Sequence, residues 1–213
     1  NPKYVILEKI SFQNMHIYDQ MLKLFDKNKI KVWINFPFRY QNYYDYLKKI
    51  IFKNNPFFTM VVSLSKSDDL FSSGIHFLDL FLSNHIKDIR FEYAKFTKVN
   101  KDKNNMRVSG KVVYTSKFKT ILILNSKSKF QQQINIFGQN SHYKVIFFSE
   151  KKDPWNNPKI RIYKNNKLIN NFHHLWQSQL TNLYVNDILV KKNCNLPTLN
   201  GSKICNELIL NSV

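Results

Sequence analysis

The stretch from Ile30 to Val62 constrains the chain more than any other. Strand-like runs enclose it, Lys31-Val32-Trp33-Ile34 before and Phe57 to Leu64 after. Its middle, Pro37-Phe38-Arg39-Tyr40-Gln41-Asn42-Tyr43-Tyr44-Asp45-Tyr46-Leu47-Lys48-Lys49, shows no period of its own and carries four tyrosines among its cations. A structureless connection of that length is uncommon in a compact domain and is usually functional or disordered. Disordered segments are poor in aromatics, so the stretch reads as a long arm between two strands. Aromatic faces that stack on bases, interleaved with cations that neutralise phosphates, suit RNA. On chemistry alone the expected RNA contacts are Lys31, Tyr40, Tyr43, Tyr44, Lys48, Lys49 and Lys53. The competing reading is a loop folded back on its own domain with its tyrosines half buried.

Charge points the same way. The 213 residues hold 33 Lys and Arg against 14 Asp and Glu, a net charge of +19, which favours a polyanionic partner. Nucleic acid ranks ahead of an anionic membrane surface. A hydrophobic content of 43% supplies a real core, in one large or two small domains. No apolar run approaches the roughly 18 residues a spanning helix needs, and no signal-peptide pattern opens the chain. The expectation is a protein that is soluble or held in an assembly. It opens at Asn1-Pro2 without Met, which places the translated start upstream or implies trimming. The abundance of Asn, Lys, Ile, Phe and Tyr, with Ala94 the only alanine, is the writing of an A+T-rich genome such as that of an organelle.

In chain order, Tyr4 to Ile10 reads as a strand. A helix follows, with Ile17, Met21, Leu24 and Phe25 on one apolar face. The strands Lys31–Ile34 and 57–64 come next, then a polar turn, Ser65-Lys66-Ser67-Asp68-Asp69. A second helix carries Ile75, Leu78 and Leu82 in line with Phe77 and Phe81 beside them, capped by Ser72-Ser73 and closed by Asn84. Ile89, Phe91 and Tyr93 then alternate with Arg90 and Glu92 as a half-buried strand. The order β-α-β-β-α-β predicts an α+β, ferredoxin-like domain over residues 1–98 with the arm at its central hairpin.

Tyr18-Asp19-Gln20 early in the first helix, and Lys27 to Val32 running into Phe36-Pro37-Phe38-Arg39, give residues 3–98 a resemblance to the small-subunit ribosomal protein family uS10. That resemblance implies a structural role in the head of a small ribosomal subunit, with the arm among ribosomal RNA and neighbours of the uS3, uS9 and uS14 families. It carries over two site residues, Pro37 and Arg39. Pro37 and Arg39 match the family's turn, while Trp33-Ile34-Asn35 and Phe38 replace its Gly-Pro and second Pro. With the A+T-rich composition, the implied location is a mitochondrial ribosome in the matrix, with a plastid one the other possibility.

Residues 99–213 have no counterpart in that family. Val99 to Asn105 is a polar bridge that marks the expected boundary. The formal charge is +6 over residues 1–99 and +13 over residues 100–213, so the extension is the more basic part. Short β runs are expected at Val108–Thr115, Thr120–Leu124, Gln133–Phe137, Tyr143–Phe148 and Lys159–Tyr163, with a stiff turn at Pro154-Trp155-Asn156-Asn157-Pro158. Phe172, Leu175, Trp176, Leu180 and Leu183 mark one amphipathic helix, and the tail from Lys191 reads as irregular. Five short strands also describe an oligonucleotide-binding barrel. The rival reading is therefore a single-stranded nucleic-acid (telomere-type) binding module over residues 106–165, with Phe118, Tyr143, Phe147 and Phe148 as stacking residues. Core packing is the other use for those four aromatics.

Chemistry beyond binding finds little support in the sequence. There is no Gly-rich phosphate loop, no G-x-S-x-G and no His-Glu-x-x-His, and four glycines leave little with which to cradle a phosphate. Cys194 and Cys205 read as free thiols in a reducing compartment, His173-His174 as no metal pair, and Asp68-Asp69 as turn residues. The expectation is a non-enzyme with no cofactor, no metal, no membrane contact and no small-molecule substrate.

Overall fold

The computed structural model describes residues 2–12, 14–53, 57–65, 69–83, 89–102, 105–116, 121–128, 132–148 and 158–211. The chain forms two compact units, one of Asn1–Gln41 with Leu175–Asn211, the other of Asn42–His174. In order, β1 (Tyr4–Leu7), α1 (Met15–Lys27) and β2 (Lys31–Ile34) open the first unit and a single 3-10 turn, Pro37–Tyr40, follows. The second unit holds α2 (Asn42–Tyr46), a π-helical turn (Leu47–Phe52), β3 (Phe58–Ser65), α3 (Gly74–Leu82), β4 (Ile89–Asp102) and β5 (Asn105–Ser116). It continues with β6 (Ile121–Ser128), β7 (Gln133–Gly138), β8 (His142–Phe148), β9 (Lys159–Lys164) and β10 (Lys167–His173). The first unit then resumes with α4 (Gln177–Lys191) and α5 (Leu199–Leu210).

In the first unit β1 and β2 run parallel, Tyr4 opposite Lys31 and Leu7 opposite Ile34, joined by α1 as the crossover a parallel pair requires. Asn14 caps α1, its side chain accepting from the backbone N–H of His16 (2.7 Å) and Ile17 (3.4 Å). The inward side of α1 is set by Tyr18. Its ring is fully buried, and its hydroxyl donates to the Leu199 carbonyl and shares a 2.8 Å bond with Ser202 Oγ of α5. Ile17 and Leu24 stay 46% and 49% exposed, so the expected apolar line is rotated by the pull of that one tyrosine. Trp33 packs with Leu180, Tyr184 and Ile188 of α4 and with Leu196. Full burial of each aliphatic side chain there is worth roughly 1.5–3 kcal/mol.

The second unit is built on an eight-stranded sheet in the order β10-β9-β8-β7-β3-β6-β5-β4, antiparallel except for the β3–β6 pair. Alternation writes it: Phe58, Met60, Val62 and Leu64 of β3 are buried, as are Ile134 and Ile136 of β7 and Ile160 and Ile162 of β9, while the residues between them face outward. Rings from α2, the π turn and α3 cover one face of the sheet, through Tyr43–Phe147, Phe52–Phe58 and Phe77–Phe147 contacts. Gly74 opens α3 where a Cβ would sit 3.0 Å from Leu124 Cδ1, so its missing side chain lets the helix settle on β6.

This architecture corrects the ferredoxin-like expectation. The strand and helix segments of residues 4–93 exist, yet β1 and β2 pair only with each other, in parallel. β3 leaves them for the centre of a different sheet, between β6 and β7. Pairing partners are a tertiary choice that local pattern does not encode. Residues 98 and 99, at the expected boundary, both lie inside β4, and strands on either side of it share the one sheet. The barrel expectation is corrected too, since β5 to β9 belong to an open sheet that ends at β10 and β4.

The arm is also not an arm. Pro37–Tyr40 is a 3-10 turn and Asn42–Phe52 is helical, with Tyr43 and Tyr44 each 1% exposed. Phe172 lies in β10 rather than in a helix, and the buried face of α4 is Leu180, Tyr184 and Ile188, with Leu183 exposed. The tail expected to be irregular forms α5. The 154–158 turn through Asn157, Phe118, Asn84 and Lys66-Ser67-Asp68 fall outside the described residues. No helix among the described residues is long and apolar enough to cross a membrane.

Candidate functional site

Parallel strands joined by a helix concentrate ligand-binding groups at their carboxyl ends, where the strands stop and the connecting loops turn away. In the first unit those ends are Leu7 and Ile34, and the residues that follow are Glu8, Lys9 and Asn35. The backbone N–H of Asn35 donates to the Leu7 carbonyl at 2.8 Å, so the two ends are tied at one level. Asn35 is buried, its Nδ2 donating to Glu8 Oε1, and its Oδ1 accepts from Gln177 Nε2 at 3.5 Å. Gln177, at the start of α4, also reaches the Tyr184 hydroxyl at 3.3 Å. Gln41 extends this polar rim by a reciprocal pair with Leu175, its Nε2 donating to the carbonyl (2.8 Å) and its Oε1 accepting from the N–H (3.0 Å).

Lys9, next to Glu8, is half-buried. Burial pulls its ammonium pKa below the ordinary lysine value, and the neighbouring Glu8 carboxylate opposes that pull in part. An amine placed in this way can hold and release a proton nearer to neutrality, a property that clusters at functional sites. Sequence reasoning counts Lys9 only as one more cation. The usable signal is its position, a lysine immediately past the carboxyl end of a β-branched strand.

The second unit holds a separate buried polar group. α3 carries His76 and Asp79, 5% and 4% exposed, and the Tyr44 hydroxyl donates to Asp79 Oδ2 at 2.7 Å. Near them Tyr43 stacks on His174, ring centroids 6.5 Å apart, and burial lowers the His174 pKa from 6.5 to about 4.

The residues expected to hold RNA are placed as follows. Pro37 is buried and opens the 3-10 turn. Arg39 reaches the Asn195 carbonyl at 3.5 Å, and the Tyr40 hydroxyl donates to Asp187 Oδ2 (2.8 Å) while accepting from the Asn195 N–H (2.8 Å). Lys31 donates to the Lys192 carbonyl at 3.1 Å. Tyr43 and Tyr44 are core, Lys48 lies 5.9 Å over the Tyr44 ring and Lys49 pairs with Asp45 at 3.3 Å. Lys53 is exposed on the π turn's last bond, its backbone N–H on the Lys48 carbonyl at 3.4 Å. Of the proposed stacking residues, Tyr143 is 4% exposed, Phe147 packs on Tyr43, and Phe148 lies under Arg161 at 4.1 Å.

Asp69 is a turn residue as its type suggests. Its carboxylate accepts from the N–H groups of Phe71 (2.9 Å), Ser72 (2.7 Å) and Val108 (2.6 Å). Cys194 and Cys205 are free thiols, Cys205 buried. Among the described residues no three or more His, Cys, Asp or Glu side chains converge as a metal site.

No protein-family model matches the chain, and no curated protein matches it. Solved structures do. The UDP-N-acetylglucosamine 3-dehydrogenase GnnA of Acidithiobacillus ferrooxidans superposes with a TM-score of 0.67 at 14% identity, over 97% of this chain and 68% of that one. KijD10, a 3-ketoreductase from Actinomadura kijaniata solved with NADP, gives 0.67 at 10% identity, over 99% and 68%. An oxidoreductase from Agrobacterium radiobacter, in complex with NAD+, L-tartaric acid and magnesium, gives 0.66 at 14% identity, over 96% and 68%.

At these identities the likeness is one of fold, and it corrects the uS10 resemblance. With it fall the ribosomal role, the RNA and head-protein partners, and the single-strand alternative. The expectations of a non-enzyme and of no small-molecule substrate are corrected in the same way, since the neighbours are oxidoreductases or dehydrogenases and two of the three hold NADP or NAD+.

Proposed function

We propose that this chain is the substrate-binding, acid–base part of an oxidoreductase acting on a small hydroxy or keto compound of the sugar or hydroxy-acid kind. The observation that carries the reading is Lys9, a desolvated amine at the carboxyl ends of two parallel strands, in a fold shared with oxidoreductases. Glu8, Asn35 and Gln177, bonded to one another at the same strand ends, are acceptors and donors of the kind that suit hydroxyl groups. When a carbonyl in the substrate is reduced, its carbon gains a hydride and its oxygen gains a proton. The proton is the part assigned to this chain. Lys9 gives it as the ammonium and becomes the neutral amine, which its lowered pKa favours, and it takes the proton back when an alcohol is oxidised.

A nicotinamide dinucleotide is the hydride carrier implied by two of the neighbours, and the residues here do not fit one. The turn from β1 into α1, residues 8–14, contains no glycine to let a pyrophosphate approach the backbone. The first N–H groups of α1 that would face it are taken by the Asn14 side chain. No step through a dinucleotide is therefore assigned to this chain.

The test is nuclear magnetic resonance on the whole chain. Titration of the lysine side-chain signals is expected to show one amine with a lowered pKa, lost in Lys9→Met. A panel of ketoses and 2-hydroxy acids is expected to shift Glu8, Lys9 and Asn35. Lys9 titrating as an ordinary lysine, with no member of the panel moving those residues, would overturn the proposal.

A further inference from the structure

The strand pair of the first unit has one covered edge and one bare edge. β2 is covered, since the Ile34 N–H donates to the Pro197 carbonyl at 2.9 Å and Trp33 bridges to Thr198. β1 pairs with β2 alone, and no other strand among the described residues lies beside it. The Lys3 and Leu7 carbonyls accept from the N–H groups of Lys31 (3.0 Å) and Asn35 (2.8 Å). Successive residues of a strand turn their backbone groups to opposite edges, so the N–H and C=O of Tyr4 and Ile6 point off the bare side.

An exposed strand edge is normally blunted by charge, proline or a bulge. The outer strands of the eight-stranded sheet follow that rule, with register shifts in both β10 and β4 and with Arg90, Glu92 and Lys95 along β4. β1 does not. It reads Tyr4-Val5-Ile6-Leu7, in register throughout, with no charge and no proline. A continuous apolar run of this kind is the signature of a strand inside a parallel sheet, with layers on both faces. Here its four side chains are only half-buried. The neighbouring helices also leave apolar pairs uncovered, Ile17 with Leu24 on α1 and Leu183 with Val190 on α4.

The occupant of that edge follows from what this chain does not supply. It spans 68% of GnnA, of KijD10 and of the Agrobacterium oxidoreductase, so nearly a third of each has no counterpart in it. Two of the three hold NADP or NAD+, whereas the turn from β1 into α1 suits no pyrophosphate. We infer that the bare edge of β1 pairs, in parallel, with a strand of a dinucleotide-binding βα unit lying outside these 213 residues. Dinucleotides bind at the carboxyl ends of parallel strands. Parallel pairing sets the carboxyl end of the added strand level with Leu7, and so beside Glu8 and Lys9. The hydride carrier then stands at the ends where the proton is exchanged. That last placement rests on the function proposed above, whereas the pairing does not.

Two measurements on the 213-residue chain alone, and one on the protein isolated from its source, test the inference. Alone, the chain should show no saturable binding of NADH or NADPH below about 1 mM by nucleotide fluorescence, and saturable binding of either overturns the inference. Amide hydrogen exchange should find Tyr4 and Ile6 at least about a hundredfold faster than Val5 and Leu7. Equal protection of all four, in a monomer or in a dimer of this chain, overturns it. In the isolated protein, crosslinking through the exposed Lys3 followed by mass spectrometry should join β1 to a polypeptide stretch outside these residues, and denaturation should release a nicotinamide dinucleotide. Crosslinks confined to these residues or to further copies of them, or no dinucleotide released, overturn it. Ile6→Pro removes an outward N–H and keeps the ladder to β2, so it should lower the melting temperature less than Val5→Pro while abolishing the crosslink and the dinucleotide. An Ile6→Pro protein that keeps both overturns the inference. The lysine titration of the chain alone is read separately, so Lys9 and the β1 edge stand or fall independently.

Discussion

Acidification should weaken the second unit through one residue. His174 packs against the buried Tyr43 ring, and burial holds its pKa at about 4, against 6.5 for the exposed side chain. The folded pKa is the lower one, so between the two values the unfolded chain binds a proton that the folded chain refuses. Stability from this source is complete above about pH 6.5, falls as the pH drops, and levels off below about 4. At about 1.36 kcal/mol per unit, the loss is at most about 3 kcal/mol. For a chain of this size that corresponds to a melting temperature lower by about 6–12 °C.

The assay is urea unfolding of the parent and of His174→Gln at several pH values from 7.5 to 4, followed by near-ultraviolet circular dichroism. A glutamine side chain does not titrate, so carboxylate effects common to both proteins cancel in the difference. The variant is expected to start less stable, having lost the ring contact, and to lose about 3 kcal/mol less on acidification. Parallel curves, within about 0.5 kcal/mol across the range, would refute the argument that burial of His174 sets its protonation.

Three further outcomes are expected. Gly110→Ala should disrupt the β4–β5 pairing, because a Cβ there would stand 2.3 Å from the Lys95 carbonyl oxygen; a loss of about 2–4 kcal/mol and faster amide exchange in both strands would show it. Tyr40→Phe removes a hydroxyl that donates to Asp187 and accepts from Asn195, and should cost about 1–3 kcal/mol in denaturant unfolding, with exchange at the Asn195 amide speeding up. Lys9→Met should raise stability at neutral pH, since a lysine whose pKa falls on folding is penalised below that folded value and relieved as the pH rises toward the unfolded one. A thermal melt at pH 7 should show the gain, and one above pH 10.5 should show little.

Much of the local structure was legible in the sequence. The alternation in 133–137, 143–148 and 159–163 marked β7, β8 and β9 to within a residue or two, because each strand buries one face. Periodicity marked α1 and α3 as well. What the pattern did not contain was partnership: nothing local to 58–65 says that it pairs with 121–128 in parallel rather than with 31–34. The middle of the supposed arm did carry a signal, Phe36, Tyr40, Tyr43, Tyr44 and Leu47 at helical spacing, hidden because a tyrosine ring serves equally as a stacking surface and as core. α5 was similarly readable, with Thr198 as its cap and Leu199, Ser202, Cys205 and Leu208 recurring every third residue. Lys9 was visible only once β1 and β2 were known to be parallel, since that fact alone gives their carboxyl ends a meaning.

The division of the first unit between the two ends of the chain has a consequence in time. On the ribosome, β1, α1 and β2 emerge first, yet the α4 residues that pack on Trp33 emerge only after the whole eight-stranded sheet has been made. β3 likewise waits for β6 and β7 before it acquires either neighbour. Synthesis therefore completes the inserted unit before the one that encloses it in sequence, and the opening βαβ element spends that interval with its tryptophan uncovered. A chain of this topology depends on slow, long-range closure, and the nascent first unit is the segment on which a chaperone would have the longest time to act.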